Sequence, residues 1–251
     1  LPKSIIESIL NLYQDKTTLK GVQGKEVEYL LSKGMLNSVY GMCVTDIVKD
    51  NAIYDDADNW GFEKVNIGEE IEKYNESKNR FLYYAWGIWV TAYARRNLWT
   101  GILAVGEDYV YSDTDSIKAL NYENHTPYVE AYNKNVLAKL YRMCDELDFD
   151  PSLLKPKTVQ GEVKPLGVWE FEWNYDTFKT LGAKRYLVQE GEKYTLTVAG
   201  LSKANGMDYI KDVCKNDSNK IFNMFNDDLY IPSDKTGKMT HTYIDIEQAH
   251  Q

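Results

Sequence analysis

Cysteine is scarce. There are three in 251 residues, Cys43, Cys144 and Cys214, and no two form a Cys-x-x-Cys pair. An odd, scattered set argues against a disulfide framework and a Cys-based zinc site, and makes a reducing, cytoplasmic compartment the expectation. The chain also lacks a membrane-length apolar run. Residues 81–94 are apolar and aromatic, but Arg95, Arg96 and Asn97 end the run well short of the roughly 20 residues a span needs. The segment reads as a buried helix, and no membrane partner is expected. Leu1-Pro2-Lys3-Ser4 carries neither a leader pattern nor an initiator Met, so the start reads as the edge of a longer protein. Positive charge is short as well: 29 Lys and Arg against 38 Asp and Glu, net −9. Nucleic-acid binders contact phosphates through Lys and Arg. Yet the acids crowd into one stretch, from Asp46 to Glu76, and a net value averages over faces, so a local basic groove stays compatible with it.

What is present suits a packed core, with 43% hydrophobic and 27% charged residues. The length allows one large domain or two or three small subdomains. Ile5, Ile6, Ile9, Leu10 and Tyr13 recur at helical spacing after Pro2, predicting a helix over 3–14. A connector over 16–24 and a second helix over 25–41 complete a helical hairpin. Residues 42–80 read as an inserted loop or β-hairpin excursion, and 81–105 as the buried helix. Short strands are expected at 108–112 and 116–120. Thr126 as N-cap with Pro127 behind it opens a helix to about 147. Alternation of Trp169, Phe171 and Trp173 with Val168, Glu170 and Glu172 predicts a strand. A hairpin follows over 183–189 and 193–198, then short helices and a strand-like tail toward Ile246. The class expected is α+β.

Three stretches carry chemistry. The first is Tyr111-Ser-Asp113-Thr114-Asp115-Ser116. In an extended segment residues i and i+2 point to one side, which would aim both carboxylates at one point. Two oxygen-ligated divalent ions about 3.5–4 Å apart serve in-line phosphoryl transfer, and Mg²⁺ is commonly held by one or two carboxylates plus substrate phosphates. A bare Asp-x-Asp is otherwise a surface turn. An EF-hand start is disfavoured because the required Gly is absent. The second is Lys33-Gly-Met-Leu-Asn37-Ser38-Val-Tyr40-Gly41. On a helical wheel Lys33, Asn37 and Tyr40 fall at about 0°, 40° and −20°, with Val27, Leu31 and Met35 opposite. A cation, an amide and a ring on one face suit a nucleotide, and Lys16 in the preceding connector adds a second phosphate contact. An ordinary amphipathic helix with a solvated face fits the same pattern. The third is Lys184-Arg185-Tyr186: on a strand, Lys184 and Tyr186 share a face, fit for a phosphate and a sugar.

In this order the three stretches resemble family B DNA polymerases. Lys33-x-x-x-Asn37-Ser38-x-Tyr40-Gly41 is similar to the fingers motif, Tyr111-x-Asp113-Thr114-Asp115-Ser116 to the palm motif C, and Lys184-x-Tyr186 to the KxY motif before the thumb. The protein-primed phage branch fits best, through Lys16-Thr17-Thr18, Thr91-Ala-Tyr-Ala-Arg95, Leu166-Gly167-x-Trp169 and Ala199-Gly200-Leu201. The resemblance implies a helical fingers hairpin over 1–41 and an insertion like the second terminal-protein region over 42–80. It further implies a partial antiparallel-sheet palm with packed helices over 81–198 and a small thumb over 199–251. It implies Asp113 and Asp115 as catalytic metal ligands for two Mg²⁺ ions, with Mn²⁺ as an alternative. Lys16, Lys33, Asn37 and Tyr40 would bind the dNTP, and Ser38, Gly41, Thr114, Lys184 and Tyr186 the template and primer. The implied partners are primer–template DNA, dNTPs, a terminal priming protein, and an N-terminal exonuclease and motif A part of the same polymerase. The setting is the cytoplasm of a host cell, in viral or mobile-element replication. The family's motif A, Asp-x-x-Ser-Leu-Tyr-Pro, is not in this sequence, so two of the expected carboxylates are present and the isolated chain is expected to be inactive. Two alternatives stay open: a Mn²⁺-dependent Asp-x-Asp glycosyltransferase acting on a nucleotide sugar, and a non-catalytic or split-subunit nucleic-acid-binding module. Glu170 and Glu172 carry no assigned role.

Overall fold

A computed structural model describes residues 1–54, 59–78 and 80–236. The fold is α+β, with seven helices and three small antiparallel sheets among the described residues. It divides into two compact units. One comprises Leu1–Val110 with Ala119–Trp169; the other comprises Tyr111–Lys118 with the chain from Glu170 onward. No helix among the described residues is long and apolar enough to cross a membrane. The three cysteines are free and buried.

The first unit is mainly helical. Helix α1 (Lys3–Thr18) starts after Pro2, whose fixed φ of −58° suits the entry to a helix. It runs past the expected end, so Lys16 sits in its last turn and not in a connector. Gly21 and Gly24, at φ +80° and +78°, turn the chain into α2 (Glu26–Cys43). Leu10 of α1 is fully buried with Cys144 and Leu154, forming the small core of this unit. Residues 42–80 contain more than a loop or hairpin. Strands β1 (Asn51–Tyr54) and β2 (Trp60–Glu63) pair antiparallel, and a helix, α3 (Ile67–Glu76), follows. Asn66 caps it, its Oδ1 accepting from the Gly68 amide, and Glu69 and Glu70 sit in the first turn where the helix dipole favours acids.

Helix α4 (Tyr84–Val105) departs from the expectation of a buried helix. Trp89, Tyr93, Trp99 and Leu103 are exposed, Leu103 by 74%. Only Gly87 and Gly101 of this helix are buried. Gly87 marks its close approach to α2: a Cβ there would lie 2.1 Å from Val44 Cγ1. Helix α5 (Thr126–Leu147) begins with Thr126 inside its first turn, so Thr126 is not the N-cap. Its hydroxyl donates to the Glu123 carbonyl instead. Asp148, in the left-handed region at φ 54°, ends the helix.

The segment 168–173 is not a strand. At Trp169 a side chain takes the place of a strand neighbour: the Asn133 amide donates to the Trp169 carbonyl at 2.8 Å and accepts from the Trp169 N–H at 2.7 Å. A single carboxamide thus satisfies both backbone groups that a strand neighbour would.

The division cuts through one hairpin, β3 (Tyr109–Asp113) and β4 (Ser116–Ala119), whose tip is counted with the second unit. The second unit carries a three-stranded meander of β5 (Thr177–Gly182), β6 (Arg185–Glu190) and β7 (Lys193–Val198). Strand β5 has no counterpart in the sequence reading. The β6–β7 hairpin closes through Gly191-Glu192, with Gly191 at φ +54° and Glu190 opposite Lys193. On one sheet face Leu187 and Leu196, directly paired, meet Met207, Ile210 and Cys214 of α6 (Lys203–Cys214) and Ile221 of α7 (Ser218–Met224), with Phe225 beyond it. Burial of each large side chain in such a core contributes about 1.5–3 kcal/mol. The strand-like tail expected toward Ile246 lies outside the described residues.

Candidate active site

The acidic turn is tighter than an extended segment. Thr114 adopts φ +55°, and the Asp115 amide bonds the Asp113 carbonyl at 2.6 Å, two residues back. The same-side rule for strands therefore does not govern Asp113 and Asp115; a reverse turn sets their directions. Two hydroxyls brace it. Thr114 Oγ1 donates to Asp113 Oδ1 at 2.9 Å, and Ser116 Oγ donates to the Asp113 carbonyl at 3.2 Å. Asp113 is partly shielded and Asp115 is exposed.

Lys184 departs from expectation in the same way. Strand β6 begins at Arg185, and Lys184 lies in the preceding turn at φ +55°, after a register shift between Thr180 and Gly182. Its backbone N–H donates to the Tyr111 hydroxyl at 2.9 Å. Its ammonium reaches both oxygens of Asp113, each at 3.0 Å. This ammonium, aided by the Thr114 hydroxyl, holds the Asp113 carboxyl below its ordinary range. In return Asp113 raises Lys184 above the usual lysine value.

Tyr186 does lie on β6. It points to the sheet face opposite the α6–α7 core, where its ring stacks on Phe178 at 5.5 Å and meets Tyr111 at 5.3 Å. Tyr111 is 7% exposed and closes the triangle with Phe178 at 5.6 Å. An aromatic base thus ties β3 to the Lys184 turn. Sequence reasoning assigned no role to Tyr111 or Phe178. The alternation of Phe178 and Thr180 about Lys179 was the available signal for β5. It also left Lys118 unmentioned, a largely buried cation on β4 that lies 3.7 Å from Glu172 and over the Tyr175 ring. Glu172 is thereby in a peripheral ion pair.

Chemically, Asp113 and Asp115 are hard oxygen donors of the kind Mg²⁺ selects, and a cation, the Lys184 ammonium, already stands at Asp113. Among the described residues no group of three or more His, Cys, Asp or Glu is gathered as a metal cage. Asp113 and Asp115 would supply oxygen donors to a divalent ion whose remaining ligands came from water or substrate.

The α2 residues lie in the other unit. Lys33, Asn37, Ser38, Tyr40 and Gly41 are all exposed. Lys33 Nζ lies 5.9 Å from the Tyr29 ring, and Ser38 Oγ donates to the Gly34 carbonyl at 2.8 Å. The expected apolar back is not the buried face. Val27, Leu31 and Met35 are 52%, 59% and 58% exposed. The inward positions are Ser32, Leu36, Val39 and Cys43, which cluster near −60° to −120° on the same wheel, roughly beside the Lys33 face. Lys16 Nζ sits 5.7 Å from the Tyr13 ring. Among the described residues nothing lies within 4 Å of where a Cβ of Gly34 or Gly41 would stand, so packing against them does not require glycine. No family model, curated protein or solved structure matches this chain.

Proposed function

We propose that this chain is the fingers, palm and thumb portion of a protein-primed family B DNA polymerase, which adds dNTPs to a primer 3′-hydroxyl under direction of a DNA template, in the cytoplasm of a host cell. The observation that carries the proposal is the bidentate contact of Lys184 with Asp113 across 71 residues of sequence. Two short motifs, singled out separately by their resemblance, meet at one point. A chance Lys-x-Tyr and a chance surface turn have no reason to do so.

In this proposal Asp113 and Asp115 would hold Mg²⁺, which when bound would neutralise phosphate charge and favour the alkoxide form of the attacking 3′-hydroxyl. The bond formed joins the 3′-oxygen to the α-phosphorus, the bond broken releases pyrophosphate, and the hydroxyl proton passes to solvent. Lys33 and Lys16 bind the triphosphate, Asn37 and Tyr40 contact the nascent pair, and Ser38 lies toward the template. Tyr186 supports the primer sugar from its aromatic base, and Lys184 and Thr114 lie beside the primer end. The open space over Gly41 supports template contact. A helix-interior Gly costs about 1 kcal/mol relative to Ala, and close passage of a ligand explains it where internal packing does not.

Binding of a fluorescent primer–template with a recessed 3′ end, read by anisotropy in Mg²⁺, tests the proposal. The recessed end is expected to bind more tightly than a blunt duplex, and nucleotide sugars are expected not to compete. Equal affinity for both duplexes, together with tight Mn²⁺-dependent binding of a nucleotide sugar, would replace polymerase with glycosyltransferase.

A further inference from the structure

We infer that Lys184 is a built-in counter-ion for Asp113, one that a divalent cation must displace, and that Tyr111 is the positioning residue that holds it there. The inference rests on the reading of Asp113 and Asp115 as metal ligands.

The geometry divides Lys184 into a fixed backbone and a loose head. Its N–H is tied to the Tyr111 hydroxyl at 2.9 Å, and its carbonyl accepts from the Ala199 amide at 3.2 Å. Tyr111 is itself immobilised, buried against Phe178 and Tyr186. The side chain, by contrast, is 58% exposed, and its ammonium spans both Asp113 oxygens with no second carboxylate among the described residues. A carboxylate engaged through both oxygens has less to offer an incoming metal ion. The two cations therefore compete for the same donor.

The competition is mild by design of the site. An exposed Lys–Asp pair is weak, so a divalent ion drawn also by Asp115 can win. The displaced ammonium stays tethered at the turn, within reach of a new anion near the metal. A phosphate oxygen of the primer is the anion the proposed function supplies. Metal loading would then arm Lys184 for the primer, and primer binding would in turn favour metal loading, since such coupling is reciprocal.

Mn²⁺ alone is the probe, with its free concentration followed by electron paramagnetic resonance at pH 7 on the whole chain. Lys184→Met and Lys184→Gly are each expected to bind Mn²⁺ about 2- to 5-fold more tightly than the parent, the range an exposed pair allows. The glycine variant also relieves the positive φ, which guards against a folding artefact. Tyr111→Phe, which leaves the Lys184 N–H without its acceptor, is expected to tighten binding by less. Arg185→Gln removes a neighbouring charge that pairs with Asp227 and not with Asp113, and should leave the affinity unchanged. Unchanged or weaker Mn²⁺ binding in both Lys184 variants overturns the inference, as does an equal gain in Arg185→Gln. Parent binding that Asp115→Asn abolishes, alongside such a result, leaves the metal site standing. Absence of Mn²⁺ binding in the parent and every variant overturns the metal-site reading, and the counter-ion with it.

Discussion

Asp113 is the residue on which the site turns, and its ionisation is the first place to look. Its folded pKa is depressed, chiefly by the Lys184 ammonium. The stabilisation from this pair is therefore present above the ordinary carboxylate pKa of about 3.9 and lost as pH falls through the folded value. Lys184 is raised, so its side of the pair is intact below the ordinary lysine value of about 10.4 and lost as pH rises through the folded one. The pair is thus whole across neutral pH. A carboxyl-carbon NMR titration should place Asp113 below the ordinary value, and Lys184→Met should move it back upward; no movement would mean that the contact does not persist in solution. The residue types of the site were legible in the sequence, but their geometry was not. Positive φ at Thr114 and Lys184 reflects turns whose tightness depends on strand register, and nothing local in Asp-Thr-Asp or Lys-Arg-Tyr encodes that register. The role of Tyr111 was not legible for a similar reason: its hydroxyl matters through a partner 73 residues away.

At the scale of elements, periodicity located α1, α2, α5 and the β6–β7 hairpin, because each has enough repeats to stand above noise. Helix α3 was missed although Ile67, Ile71 and Tyr74 follow helical spacing behind an Asn cap, since the surrounding acids dilute the pattern. The strand expected around Trp169 failed because alternation specifies an extended backbone and not its partner; here the partner is Asn133. Burial of α4 was inferred from apolar composition alone, and composition does not say which neighbours are in the chain. In α2 the wheel separated polar from apolar positions correctly, yet the buried stripe lies between them, through Ser32 and Cys43. Gly41 of α2 gives a test with opposite signs. Replacing it with Ala should stabilise the helix by about 0.5–1 kcal/mol, because no atom obstructs the methyl group. The same change should weaken primer–template binding by filling the space assigned to the template. Thermal melts and anisotropy on one preparation check both, and unchanged DNA affinity would remove Gly41 from the interface.

For the whole molecule, the decisive inventory is of carboxylates. Two-metal phosphoryl transfer uses a shared set of acidic ligands, and among the described residues no group of three or more His, Cys, Asp or Glu is gathered, so Asp113 and Asp115 stand without a third acid. The chain by itself is accordingly expected to show no significant primer extension in Mg²⁺ and dNTPs; robust extension would show that two carboxylates suffice. The broad apolar exposure of α4, with Trp89 61% and Trp99 59% exposed, belongs to the same scale: a helix apolar on all sides is ordinarily enclosed. The fold class was legible from the order of periodic segments. The division into two units was not, because the tip of one hairpin is claimed by the second unit while its base remains with the first.

The most direct measurement is photocrosslinking from a 4-thiothymidine at the primer 3′ terminus, bound to the chain with template and Mg²⁺, followed by peptide mass spectrometry. The polymerase account predicts crosslinks concentrated in 111–116 and 184–186 and lost when the primer is blunt-ended. Crosslinks scattered over the surface, or confined to segments away from Asp113 and Lys184, would contradict it.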